Sequence, residues 1–121
     1  MKVLVVDDDP DIRELVAFKL EQVGHAVTTE NDGETGLAAA LADVPDLILL
    51  DVMMPKLTGI EVCQKLRDDA RTANVPVMLI TAKAQEVDVE RGFAAGADDY
   101  IVKPFSPREL ATRVEAMLAR R

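Results

Sequence analysis

The sequence predicts an α/β protein, in which a parallel five-stranded sheet is doubly wound by helices. Short continuous apolar runs, typical of strands buried on both faces, alternate with segments of helical periodicity. This (βα)5 pattern implies right-handed crossovers and helices on both faces of the sheet, with strand order 2-1-3-4-5. Five units are too few for a closed barrel, which needs eight. No linker or repeat interrupts the chain, so we expect one domain over residues 1–121.

The strands are predicted from apolar runs. Three runs are unbroken, and two further runs are weaker strand candidates. The strong runs are KVLVV (2–6), DLILL (46–50) and VPVMLI (75–80), and the weaker ones are AVTT (26–29) and YIV (100–102).

The first helix is predicted over residues 10–23. Asp9 can cap its N-terminus, Pro10 suits its first turn, and Gly24 can end it. Apolar residues recur at three- and four-residue intervals, which gives one buried face. These residues are Ile12, Leu15, Val16, Leu20 and Val23.

Three more helices are predicted at about 33–42, 58–68 and 84–95. The first of these is rich in Ala and Leu, and the other two carry spaced apolar residues. Those residues are Ile60, Cys63 and Leu66 in one helix and Val87 and Phe93 in the other, which ends near Gly96.

The fifth helix is predicted over residues 107–119 from the stretch SPRE. Ser106 and Glu109 match a capping box, and Pro107 takes the first helical position. The apolar stripe that follows consists of Leu110, Val114 and Met117 or Leu118.

Composition limits the possible functions. Hydrophobic residues make up 49% and charged residues 30% of the chain, a profile typical of a globular protein. The net charge of -8 argues against direct nucleic-acid binding by this segment. No apolar run is long enough for a membrane span or a signal peptide. Cys63 is the only cysteine, which excludes an intramolecular disulfide and favours a cytoplasmic location.

Chemically active residues follow four of the predicted strands. Asp7 and Asp8 follow the first strand, Asp51 the third, Thr81 the fourth and Lys103 the fifth. Since the carboxyl ends of parallel strands share one rim, we expect these residues to lie together. Ligands bind there near the point where the strand order reverses, between the first and third strands.

Each of these residue types suits phosphoryl transfer. Clustered carboxylates are tolerable around a hard cation such as Mg²⁺. A carboxylate can attack phosphorus, and Asp51 is the central acid of the group. The ammonium of Lys103 can balance phosphoryl charge, and the Thr81 hydroxyl can donate a hydrogen bond. Asp9 is better explained as a helix cap in an acidic first turn.

Four motifs resemble the receiver domain of two-component response regulators: VVDDDP, DLILLDVMMPKLTGIEV, VPVMLITAK and GADDYIVKPF. The resemblance covers the whole chain and implies a flavodoxin-like sandwich. It makes Asp51 the phosphoacceptor for a histidine kinase or phosphotransfer protein. It also implies that Asp8, Asp51 and the backbone carbonyl of Met53 bind Mg²⁺ directly, with Asp7 acting through water.

The resemblance assigns further roles around the acceptor. Lys103 is expected to pair with Asp51 and the phosphoryl group, and Thr81 to move toward the phosphoryl oxygens. Tyr100 matches the aromatic residue that then turns inward. The bond to Pro104 is expected to be cis, and Gly59 fits a tight turn after MMP.

The stretch GADDYIVKPFSPREL is similar to receivers that are joined to winged-helix DNA-binding domains. Such receivers pair through the fourth helix, fifth strand and fifth helix, and Asp99 and Arg113 fit one of the charge pairs used there. The pattern is otherwise broken, which predicts at most a weak dimer. The departures are Val89, Glu90, Ala94 and Glu115.

Three other functions fit these residues less well. A phosphohydrolase with an aspartyl-phosphate intermediate, of the haloacid dehalogenase type, would carry a second Asp where this chain has Met53. A flavodoxin-like cofactor binder would not place three acids beside a phosphate. A degenerate receiver would lack some of the key residues. We therefore expect a switch that catalyses only its own phosphorylation and dephosphorylation, signals to a downstream effector domain or target, and is not otherwise an enzyme.

Overall fold

The computed structural model describes residues 1–82 and 86–120. Strands and helices alternate along the chain. They are β1 (Lys2–Val6), α1 (Pro10–Gln22), β2 (Ala26–Glu30), α2 (Gly33–Ala42), β3 (Leu47–Asp51), α3 (Gly59–Asp68), β4 (Val77–Thr81), α4 (Glu86–Ala94), β5 (Asp99–Val102) and α5 (Pro107–Ala119). All strand pairs are parallel, in the order β2-β1-β3-β4-β5. The predicted fold class and strand order are confirmed.

The third and fourth strands end later than their apolar runs predict. Asp51 pairs with Ile80, and Thr81 pairs with Val102, so both polar residues belong to the sheet. The apolar runs end at Leu50 and Ile80, but each strand stays paired for one more residue. Asp51 and Thr81 therefore stand on the rigid ends of strands rather than in loops.

Two apolar layers cover the faces of the sheet. Alternate residues of β1, β3 and β4 point to opposite sides, as the strand period of two requires. One side packs against α2 and α3, and includes Leu4, Val6, Ile48, Leu50, Val77 and Leu79. The other packs against α1 and α5, and includes Val3, Val5, Leu47, Leu49, Met78 and Ile80.

Two apolar residues expected in helix interfaces lie outside the core. Val23 is 43% exposed because α1 ends at Gln22, and Gly24 then turns the chain at φ 101°. Phe93 is 46% exposed, since the buried positions at this end of α4 are Gly92 and Ala95. Residues 84–85 of the predicted fourth helix, and the side chain of Val87, lie outside what the structure describes.

Helix caps fix where the helices begin. The Asp9 carboxylate accepts from the Asp11 N–H at 2.9 Å, as predicted. The Ser106 hydroxyl accepts from the Glu109 N–H at 3.0 Å, which is one half of the capping box predicted there. Sequence reasoning missed a complete capping box at α3, in which Thr58 and Glu61 bond reciprocally. Over the described ranges, no helix has both the length and the apolarity to cross a bilayer.

Candidate functional site

Three carboxylates meet at the carboxyl ends of β1 and β3, which are adjacent in the sheet. One oxygen from each of Asp7, Asp8 and Asp51 lies within 4.8 Å of the others. Asp7 is fully buried and Asp51 is 4% exposed, whereas Asp8 faces solvent. The strand order thus assembles the acid cluster expected from the sequence.

Lys103 lies between the two buried acids. Its Nζ is 3.0 Å from Oδ2 of Asp7 and 3.5 Å from Oδ2 of Asp51. The resemblance implied a pair with Asp51, but the shorter contact is with Asp7. The Lys103 N–H donates to the Thr81 carbonyl at 2.6 Å, and the bond to Pro104 is cis. Burial opposes protonation of Lys103, but the two carboxylates outweigh it and raise its pKa.

The environment of Asp51 disfavours its charged form. Burial, and then the nearby Asp7, raise the pKa of Asp51 to about 7, against the opposing effects of Lys103 and the Met53 N–H. That N–H donates to Oδ1 of Asp51 at 3.3 Å. A further cation beside the pair would relieve this repulsion.

The cluster offers the oxygen ligands that a hard cation needs. Within the described residues, Oδ2 of Asp7 is buried and accepts no well-aligned hydrogen bond, although it contacts the Lys103 ammonium. Asp8 is exposed, so solvent can reach the cluster and water can complete a coordination sphere. The residues present therefore suit a hard divalent metal ion such as Mg²⁺.

Thr81 and Tyr100 lie on the other side of the cluster. Thr81 is 7% exposed at the end of β4. Together with Tyr100 it lines a void of about 10 Å³, whose other walls are Val52, Leu79 and Val89. The Tyr100 ring packs edge-on against Phe93, with the centroids 6.1 Å apart.

The segment after β3 has a different conformation from the turn expected at Gly59. Gly59 begins α3 and is needed for close approach, because a Cβ there would lie 2.3 Å from the Asp51 carbonyl oxygen. The left-handed position of this segment is Lys56, with φ 70°.

Residues 3–115 match the family model described as the response regulator receiver domain. The chain belongs to this receiver family. It is 49% identical over 119 residues to a DNA-binding dual master transcriptional regulator, RpaA, of Synechocystis. It is 50% identical over the same length to the alkaline phosphatase synthesis regulator PhoP of Bacillus subtilis. Each match covers 98% of this chain and 49% of the relative, so the chain spans about half the length of these relatives.

Solved receiver structures have the same fold. The Vibrio cholerae chemotaxis protein CheY4 matches with a TM-score of 0.92 at 34% identity, covering 96% of this chain and 97% of that one. The receiver domain of a sensor histidine kinase from Pseudomonas aeruginosa matches with a TM-score of 0.90 at 30% identity, covering 98% and 97%. That structure has a magnesium ion coordinated in its active-site cleft.

Sequence reasoning missed one contact that shapes the receiver's acid loop. Nη1 of Arg13 donates to the Asp7 carbonyl at 2.7 Å, and the Asp9 N–H donates to Oδ1 of Asp7 at 2.9 Å. The sequence feature that could have predicted this contact is an arginine one turn into the helix that follows three acids. These bonds orient Asp7 toward the cluster.

Asp99 and Arg113, which match a charge pair used where such receivers pair, contact each other within this one chain. Nη1 of Arg113 lies 3.4 Å from Oδ1 of Asp99, and it also donates to the Tyr100 carbonyl at 3.0 Å. Arg120 approaches the other Asp99 oxygen at 3.9 Å. In this receiver the pair ties α5 to β5.

Proposed function

We propose that Asp51 accepts a phosphoryl group from the phosphohistidine of a histidine kinase or phosphotransfer protein, and that this changes the α4–β5–α5 surface. The observation that carries the proposal is the buried Asp7–Asp51 pair with the Lys103 ammonium between its carboxylates. Such a site holds a nucleophile and a positive charge where a phosphoryl group would sit.

An Asp51 carboxylate oxygen would form the new bond to phosphorus while the bond from phosphorus to the histidine nitrogen breaks. Mg²⁺ would neutralise charge on the transferring group, held by Asp8, Asp51 and the Met53 carbonyl, with Asp7 acting through water. Lys103 would shift its contact from Asp7 toward the phosphoryl oxygens. The same residues would support slow hydrolysis of the aspartyl phosphate.

Transmission to the surface would begin at Thr81. Its hydroxyl would donate to a phosphoryl oxygen, which requires the end of β4 to shift toward Asp51. The void beside Tyr100, at about 10 Å³, is far too small for a phenol ring. Movement of Thr81 and α4 would enlarge this space, which would couple an inward turn of the Tyr100 ring to phosphorylation.

Sustained turnover of a phosphate substrate is disfavoured by the residue two positions after the acceptor. Met53 stands there with a side chain that is 72% exposed and has no acid or base function. A phosphohydrolase of the aspartyl-phosphate class would need a proton donor for the leaving group at this place. The receiver thus acts on itself rather than on a metabolite.

The partners follow from the relatives and from charge. Both curated relatives are transcriptional regulators about twice as long, and one is named as DNA-binding, so a downstream effector domain or target protein would read the switch. The net charge of -8 disfavours direct nucleic-acid binding by this segment. We place it in the cytoplasm, where such regulators meet DNA, with no membrane partner and at most a weak dimer through α4–β5–α5.

Intact-mass measurement with acetyl phosphate and Mg²⁺ tests the acceptor. We expect one added phosphoryl group on the wild type and none on Asp51→Asn. Asp9→Asn is the matched control, because Asn caps a helix as well as Asp does and position 9 lies outside the cluster. Equal incorporation into wild type and Asp51→Asn would sink the assignment.

A further inference from the structure

The side chain of Arg67, in the last turn of α3, joins three separate segments of the chain. Its Nε and Nη2 donate to the Gly96 carbonyl at 3.0 and 2.8 Å. Its Nη1 donates to the carbonyls of Val75 at 2.6 Å and Thr72 at 3.4 Å. Nη2 also meets Oδ2 of Asp98 at 3.0 Å. These acceptors precede β4 and β5, at the end of the sheet opposite Asp51.

This contact holds the C-terminal end of α4 against α3. Gly96 has φ 104°, and a Cβ there would lie 2.8 Å from Cγ of Arg67, so the guanidinium fits only against glycine. The Cys63 thiol adds a contact to the carbonyl of Ala95 at 3.5 Å. A planar guanidinium can serve all these acceptors at once, whereas an ammonium lacks the fork geometry.

We propose that Arg67 is a positioning residue of the switch, which fixes the C-terminal end of α4 so that phosphorylation tilts the helix about Gly96. The inference rests on the proposed function, in which α4 moves after Thr81. A helix held at one end rotates about that end. A helix held at neither end would slide as a whole.

Tilting makes a quantitative prediction along α4. With a rise of 1.5 Å per residue, positions 90 and 94 lie about 9 and 3 Å from Gly96 along the helix axis. A rotation about Gly96 therefore displaces position 90 roughly three times as far as position 94. Sliding would displace both positions equally.

Spin-label distances can measure this ratio in the full chain. Nitroxides are placed at Glu90→Cys or Ala94→Cys, each paired with Glu21→Cys or Lys65→Cys so that two directions are sampled. All four positions are exposed. Cys63 stays in place because it is buried and burial raises its pKa, which leaves its thiol unreactive. Distances are recorded before and after treatment with acetyl phosphate and Mg²⁺, with phosphorylation measured by intact mass.

In the wild type, the displacements perpendicular to the helix axis should have a ratio near three between positions 90 and 94. In Arg67→Lys the ratio should fall toward one at the same extent of phosphorylation. Arg71→Lys is the control and should keep the wild-type ratio, since Arg71 is exposed and its ion pair is with Asp69, two residues away. Asp98→Asn, which weakens one acceptor and leaves the carbonyl contacts, should give an intermediate ratio.

Two results would overturn the inference. One is a ratio near one in fully phosphorylated wild type, and the other is an unchanged ratio in Arg67→Lys. A general loss of stability does not alter a ratio of displacements within one helix, so a merely structural role for Arg67 predicts no change. Failure of the wild type to take up phosphate would instead contradict the proposed function.

Discussion

The two sides of the Asp51 site are built differently. On the acceptor side, residues 52–59 are fixed by backbone bonds, by a capping box and by direct contact with the strand. The Gly59 N–H donates to the Val52 carbonyl at 3.0 Å, and Thr58 caps α3. On the readout side, Thr81 and Tyr100 border a void, and the Tyr100 ring packs edge-on against the exposed Phe93.

The two sides meet different requirements: the acceptor side serves phosphoryl transfer, and the readout side serves signalling. Phosphoryl transfer needs an acceptor held in one geometry, because small displacements of reacting groups cost large factors in rate. A switch needs a second arrangement of similar free energy, which a filled and fully bonded segment does not offer. The acceptor side should therefore tolerate substitution poorly, and the readout side should tolerate it at the cost of coupling.

The largest effect should follow from disturbing the acceptor side at Gly59. In Gly59→Ala the new methyl group would lie 2.3 Å from the Asp51 carbonyl oxygen, and backbone atoms would have to move. We expect a loss of about 3 kcal/mol in the free energy of unfolding, typical of overpacking, and slower phosphorylation of Asp51. Urea denaturation measures the free energy of unfolding, and intact-mass time courses measure the rate of phosphorylation.

Gly24→Ala is the control for Gly59→Ala. Gly24 has φ 101°, and among the described residues no atom beyond its chain neighbours lies within 4 Å of an added Cβ, so alanine there adds backbone strain without a clash. That strain should cost about 1 kcal/mol and leave phosphorylation unchanged. The contrast between the two sides fails if Gly59→Ala is no more destabilising than Gly24→Ala.

Metal binding should depend on pH through Asp51. Its folded pKa of about 7 lies above the usual value near 3.8, so the folded state keeps a proton that the unfolded state has lost between these pH values. The contribution of Asp51 to stability is therefore present at low pH and is lost as pH rises toward 7. Because Mg²⁺ displaces that proton, its apparent affinity should be roughly tenfold weaker at pH 6 than at pH 8.

Thermal melting with increasing Mg²⁺ at the two pH values measures this effect. Binding to the folded state raises the Tm by mass action, so the shift should be larger at pH 8. Asp8→Ala should remove most of the shift at both pH values. An equal shift at pH 6 and 8, or a full shift in Asp8→Ala, would contradict the proposed metal site.

On the readout side, Thr81→Ala should separate phosphorylation from its output. The variant loses a hydroxyl and one methyl group at a buried position, so we expect a loss of about 1 kcal/mol in stability and full modification of Asp51. Amide chemical shifts of residues 86–105 should change much less on phosphorylation than in the wild type. If the variant reaches the same phosphorylation and shows the same shifts, Thr81 does not relay the signal.

The two sides of the site also differ in how much of them the sequence could predict. The acid cluster was predictable because strand ends in a parallel sheet share one rim, which fixes Asp7 and Asp51 as neighbours whatever the loops do. The closer approach of Lys103 to Asp7 depends on side-chain packing that no periodicity encodes. Arg67 was missed because its acceptors are mostly main-chain carbonyls, which carry no residue signature. Phe93 is apolar and lies at helical spacing but is outside the core, because spacing alone does not show which face of the helix packs on the sheet.

The smallest effect, and the finest test of the acceptor side, concerns Lys56. Its ammonium lies 3.7 Å from both Asp32 and Glu34 at the start of α2, but it is 56% exposed, so Lys56→Ala should cost only about 0.5 kcal/mol. High salt should shrink that cost, since exposed charges are screened. Lys56→Gly loses the same ion pairs but relieves the left-handed φ of 70°, and should be about 1 kcal/mol more stable than Lys56→Ala. Urea denaturation of both variants at low and high salt separates the two contributions. Equal stabilities would mean that the segment after β3 adjusts freely at Lys56, and the acceptor side would then be no more rigid than the readout side.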